Sequence, residues 1–154
     1  METKLLKIAK ELLAKCEGSA LTGSLMLLVR GIEKRRESHD IDILVKTFEN
    51  LPTENLCQAS PMYPDSVKFK IEDTGINIDF LINDSEIIEI INGIPCGSVE
   101  ILLNRKYQYS RQDKFPESRN KHRLDLEFLG YDLASKDAEI EESEKIDFDN
   151  LLFF

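Results

Sequence analysis

Three aspartates fall where strands would bring them together. Asp40 and Asp42 are one residue apart in Asp40-Ile-Asp-Ile-Leu-Val45, and Asp79 lies within Ile76-Asn-Ile-Asp-Phe-Leu-Ile82. On an extended strand, side chains two apart point the same way, about 6.5–7 Å from one another. Asp40, Asp42 and Leu44 therefore share one face, with Ile41, Ile43 and Val45 on the other. In the later strand Asn77, Asp79 and Leu81 oppose Ile78 and Phe80. Pairing the two strands crowds three carboxylates, which repel one another unless a cation neutralises them. Oxygen donors in that number suit one or two Mg²⁺ ions, the arrangement that aligns a triphosphate with an attacking nucleophile. An isolated Asp-x-Asp is more often just solvated, as a Gly-Ser pair alone is an ordinary turn. The combination carries the weight, because Gly23–Ser24 opens a helical stretch upstream of the pair. Backbone N–H groups and a hydroxyl at such a point can hold phosphate oxygens.

The elements that must position these residues follow from periodicity. Leu5, Ile8, Ala9, Leu12, Leu13 and Cys16 keep helical spacing with lysines opposite, which predicts an amphipathic helix over about residues 3–16. Leu21–Thr22 is a short extended piece, Ser24 opens a helix running to Val29, and residues 31–38 form a charged loop. Three strands are expected at 40–46, 67–71 and 76–82, the last two joined by the turn Glu72-Asp-Thr-Gly75, with a fourth candidate at 87–91. Helices are expected from Ser98 to about Tyr109 and from Ser118 to about Leu129, each with a Ser N-cap. This order predicts an α+β protein with a small mixed β-sheet backed by helices.

The chain of 154 residues carries 29 acidic against 20 basic side chains, a net charge of −9. That argues against a globally basic nucleic-acid clamp, while leaving room for a local basic groove. No apolar run reaches the roughly 20 residues of a membrane span, and the lysine-dotted N-terminus does not read as a signal peptide. Cys16, Cys57 and Cys96, without Cys-x-x-Cys spacing or nearby histidines, read as buried thiols of a cytoplasmic protein. Residues 135–154 hold seven acids against two lysines and end in Leu151-Leu-Phe-Phe154. The expected organisation is therefore one domain over 1–132 and an acidic tail over 133–154. Its apolar end should dock on its own domain, or join the chain to a partner protein or a second copy through residues 135–154.

Leu21-Thr-Gly-Ser-Leu25, Ser38-His-Asp-Ile-Asp-Ile-Leu-Val45 and Ile76-Asn-Ile-Asp-Phe80 together resemble the polymerase β-like nucleotidyltransferase superfamily. The resemblance covers about residues 20–82. It implies a nucleotidyltransferase-type fold, with Gly23 and Ser24 on the triphosphate of an NTP and Asp40, Asp42 and Asp79 binding two Mg²⁺. A second segment, Ser98-Val-Glu-Ile-Leu-Leu103 with Lys106, then Arg119-Asn-Lys-His-Arg-Leu-Asp125, is similar to the AbiEii-type nucleotidyltransferase toxins. It implies that Lys106 and Lys121 contact the nucleotide and that Asp125 orients one of them. Lys121 and Asp125, four apart on a helix, also fit a plain surface ion pair. The expected function is Mg²⁺-dependent transfer of an NMP from an NTP to an acceptor hydroxyl on a tRNA, a protein or a small molecule such as an aminoglycoside. The alternative is a nucleotide- or partner-binding module without catalysis, including a toxin–antitoxin or phage-defence component.

Overall fold

The computed structural model describes residues 1–61, 63, 65–82 and 87–151, with the side chains of 145–151 outside that description. The chain divides into two compact units, Met1–Leu102 and Leu103–Phe154.

In the first unit, helix α1 (Glu2–Lys15) buries Leu5, Ala9 and Leu12, the i, i+4, i+7 stripe that the periodicity predicts. The short helix α2 (Gly23–Val29) buries Leu25, Met26 and Leu27. Among the described residues seven strands make one mixed sheet: β1 (Ala20–Thr22), β2 (Ile41–Val45), β3 (Leu56–Ala59), β4 (Ser66–Ile71), β5 (Asn77–Ile82), β6 (Glu89–Ile91) and β7 (Ile94–Cys96). Their order across the sheet is β3-β4-β5-β2-β1-β7-β6. β2 pairs with β5 in parallel and with β1 antiparallel, while β1 meets β7 in parallel.

The sheet is larger than the three or four strands expected from the sequence. β1 and β7 have three residues each and β3 has four, too short for an alternation to show. The candidate strand at 87–91 narrows to β6, and Asn92–Gly93, both with positive φ, turns the chain straight back into β7. The expected β4–β5 hairpin is present, with Asp73 and Gly75 at positive φ in its turn.

Alternation sorts the two sheet faces. Leu21, Ile41, Ile43, Ile78 and Phe80 are all completely buried on one face, which helices α1 and α2 cover. Burying each such side chain contributes about 2 kcal/mol. Phe69 meets Phe80 edge-on there, at 5.8 Å between ring centroids. The other face is apolar at one end, where Ala20, Leu44 and Leu81 cluster with Ile88 packed against them. One residue pair further along the strands the same face turns polar.

The second unit comprises most of α3 (Val99–Gln112), α4 (Pro116–Phe128) and α5 (Leu133–Leu151). Ser98 caps α3 as expected, its hydroxyl accepting the N–H of Ile101 at 3.3 Å. Ser118 does not cap α4: the helix opens earlier, with Pro116 in its first turn, and Ser118 donates its hydroxyl to Asp113. The acidic segment after residue 133 is helix α5 rather than loose linker. Leu133 and Ile140 join a core with Tyr107, Leu126, Leu103 and Tyr131. Asp137 accepts hydrogen bonds from Tyr107 Oη at 2.6 Å and Arg123 at 3.3 Å, so an acid of the tail anchors the helix. The side chains of the expected docking end, Leu151-Leu-Phe-Phe154, lie outside the described residues.

Of the three cysteines expected to be buried, only Cys96 is; Cys16 is half-buried and Cys57 is exposed on β3. Among the described residues, no helix is long and apolar enough to cross a membrane.

Candidate active site

The polar end of this second sheet face is a row of side chains set by strand register. Thr22 of β1 stands opposite Asp42 of β2, Asp42 opposite Asp79 of β5, and Asp79 opposite Lys68 of β4. The pairing anticipated from the Asp-x-Asp spacing is thus present, with Asp42 as the direct neighbour of Asp79. The two carboxyls share a hydrogen bond. Asp40 lies just ahead of β2, and its Oδ1 accepts the Asn77 N–H at 3.3 Å, tying the entry of β2 to the entry of β5.

Burial pushes the Asp79 carboxyl above the usual carboxylate range; the Lys68 charge pulls it down and the Asp40 charge adds to the rise. Desolvation outweighs the two lowering influences, the Lys68 charge and the hydrogen bond with Asp42. Lys68 is a site residue that the sequence reading missed. Its only signal is the alternation of β4, which places Ser66, Lys68 and Lys70 on the same face as Asp79 through the β4–β5 register.

Gly23 and Ser24 flank this row. Gly23 has φ +73°, and a Cβ there would overlap Asp42 Oδ2 and lie 2.9 Å from Asp42 Cγ. Only glycine allows the backbone to come this close to the carboxylate. The Ser24 hydroxyl lies 2.8 Å from that of Ser38, on the loop that leads into β2. Ser38 is itself fixed: Glu2 of α1 accepts its N–H at 3.0 Å and also binds Lys34. The charged loop over 31–38 is therefore tied back to α1 beside the site.

Two further polar atoms were not anticipated. The Thr22 hydroxyl oxygen and Asn77 Oδ1 are buried with no hydrogen-bond partner among the described residues. Each such group costs about 1–3 kcal/mol when left unmet. Both residues belong to the sheet face that carries Asp42 and Asp79.

The donor set fits a hard divalent cation in kind: carboxylates in a semi-buried row, one of them raised above the usual range by burial, with orphaned oxygens alongside. Among the described residues, however, no three Asp, Glu, His or Cys side chains gather into a ready metal cage. What the structure assembles is the Asp42–Asp79 pair, with Asp40 acting on it electrostatically.

Lys106 and Lys121 belong to the second unit. Asp125 takes Lys106 as its partner at 3.4 Å, both side chains being nearly buried. Lys121 is exposed on α4. His122 lies between these groups, its ring 5.5 Å from that of Tyr109. Burial and the Lys106 charge push its pKa down to about 4, so it is neutral at pH 7.

No family model and no curated protein sequence matches the chain. Its fold does match solved structures. A candidate nucleotidyltransferase of Helicobacter pylori superimposes with a TM-score of 0.54 at 17% identity, covering 83% of this chain and 66% of that one. Another, from Thermotoga maritima, gives 0.53 at 18% identity over 77% and 90%. The antibiotic-resistance factor ANT(2'')-Ia gives 0.54 at 15% identity over 98% and 96%. The chain spans just under two thirds of the Helicobacter chains it matches, 64% and 66%. At these identities the likeness is one of fold alone.

Proposed function

We propose that the protein is a Mg²⁺-dependent nucleotidyltransferase, transferring an NMP from an NTP to an acceptor hydroxyl. The observation that carries this reading is the in-register Asp42–Asp79 pair, set against Gly23 and Ser24 on a sheet of nucleotidyltransferase topology. Asp42, Asp79 and Asp40 would hold the metal, which supplies charge neutralisation at the triphosphate and acidifies the acceptor hydroxyl. The bare backbone of Gly23 lets Asp42 lie directly against the turn that would meet the triphosphate. The Ser24 hydroxyl donates to a phosphate oxygen, exchanging its bond with Ser38. Asp79, whose carboxyl is held above the usual range, is suited to take the proton of the attacking hydroxyl. Lys68 balances the charge of Asp79 on the side away from Asp42. The acceptor is a hydroxyl of a nucleic-acid end, a protein or a small molecule.

The test is isothermal titration of the full chain with each NTP, with and without Mg²⁺. Metal-dependent binding that weakens in Asp42→Asn supports the reading, and a folded sample that binds no NTP overturns it. A second reading, a nucleotide- or partner-binding module without turnover, rests on one observation: among the described residues, three ligands are not gathered into a metal cage. NTP binding without product from any acceptor class would select it.

A further inference from the structure

A groove of about 400 Å³ lies within the second unit, in the lower part of the range of small-molecule pockets. From α3 it is lined by Asn104, Tyr107, Gln108, Arg111 and Gln112, a spacing of three and four residues that puts them on one helix face. From α5 come Lys136 and Ile140, one turn apart. Among the described residues the lining thus holds two cations and three carboxamides and no carboxylate, in a chain with 29 acidic residues.

Three acids of α5 pair with lining residues from the groove's margin. Asp137 is committed to Tyr107 and Arg123. Glu144 meets Arg111 at 3.4 Å and Glu139 meets Lys136 at 3.8 Å, but both carboxylates are about 70% exposed. Ion pairs so open to water contribute little, and a bound anion can replace them.

We propose that this groove binds a mononucleotide. Arg111 and Lys136, the fork and the point charge, take the phosphate. Asn104, Gln108 and Gln112 offer amide donors and acceptors side by side, the complement of a heterocyclic base edge. Ile140 supplies apolar contact for the ring. The site requires no metal and uses none of the residues assigned to catalysis.

The experiment is calorimetric titration of the full chain with the four 5′-mononucleotides in EDTA. At least one should bind with one-to-one stoichiometry. Arg111→Gln with Lys136→Gln should weaken it about tenfold or more, the loss of two charge-assisted contacts. Gln108→Leu, which keeps every charge, should also weaken it and carries the test if the double variant fails to fold. Asp42→Asn should leave it unchanged, which separates this groove from the carboxylate site. No binding to the folded protein overturns the proposal. So does binding lost in Asp42→Asn but kept in the groove variants, or inorganic phosphate competing as well as the nucleotide.

Discussion

Gly23 and Asp42 meet at a point where only one of them can carry a side chain. The backbone of Gly23 is left-handed, and the volume a Cβ would need is taken by the Asp42 carboxylate. The sequence thus sets its Gly-Ser turn and its acid pair, far apart in the chain, into direct contact.

Gly23→Ala should accordingly do two things at once. The left-handed conformation costs an L-residue about 1–2 kcal/mol, and the overlap forces Asp42 to move. For a chain of this size that corresponds to a fall in Tm of roughly 2–8 °C, measured by scanning calorimetry. Metal-dependent NTP binding should be lost in the same variant even where it remains folded. A variant that keeps both Tm and binding would refute the contact.

Asp79→Asn should stabilise the metal-free protein while abolishing transfer. The folded-state pKa of Asp79 is raised, so its effect on stability is favourable below the ordinary carboxylate value of 3.8 and is lost as pH rises through the folded value. Asparagine cannot ionise and can still hydrogen-bond to Asp42. At pH 7 without divalent cations the variant should melt at a higher temperature than the wild type. The two Tm curves should converge under acid conditions, where the wild-type carboxyl is protonated.

Glu2 gives the opposite sign. Lys34 and Ser38 hold its carboxyl below the ordinary value of 4.5. Its stabilisation is therefore complete above that value and is lost as pH falls through the lower folded one. Glu2→Gln should lower Tm at pH 7, and the difference from wild type should vanish in acid. The loop bearing Ser38 should exchange its amide hydrogens faster in the variant.

Lys106 and Asp125 form a nearly buried pair, so removing one partner should cost far more than removing both. Asp125→Ala leaves an uncompensated charge and should cost about 3–5 kcal/mol by denaturant titration. Lys106→Met with Asp125→Leu should recover most of that loss. In Lys106→Met the His122 pKa should rise from its value of about 4, because the second largest cause of its depression is gone. NMR titration can follow it, since His39 is the only other histidine.

What could be read from the sequence was what repeats or alternates. The amphipathic face of α1 and the strands around Asp42 and Asp79 each span enough residues to show a period, and they stand where the spacing put them. The strands β1 and β7, three residues each, are defined by the neighbours they hydrogen-bond to and leave no local signal. Lys68 was hidden for the same reason: it enters the site through the β4–β5 register, and nothing near it in the chain marks it out. The segment after residue 133 looked like solvated tail because its charge dominates its composition. Its helix is fixed instead by Leu133 and Ile140 in a shared core and by Asp137 on Tyr107.

The parallel pairing of β2 with β5 also governs when the carboxylate pair can come into being. No tight turn joins parallel neighbours, so the chain must first travel out through β3 and β4 before β5 returns to lie beside β2. During synthesis Asp42 emerges well before its partner, and an unfinished chain holds half a site. Long-range closure of this kind is slow compared with helix formation, and it comes late in assembly. The Asp42–Asp79 contact thus comes into being only as β5 returns to complete the sheet.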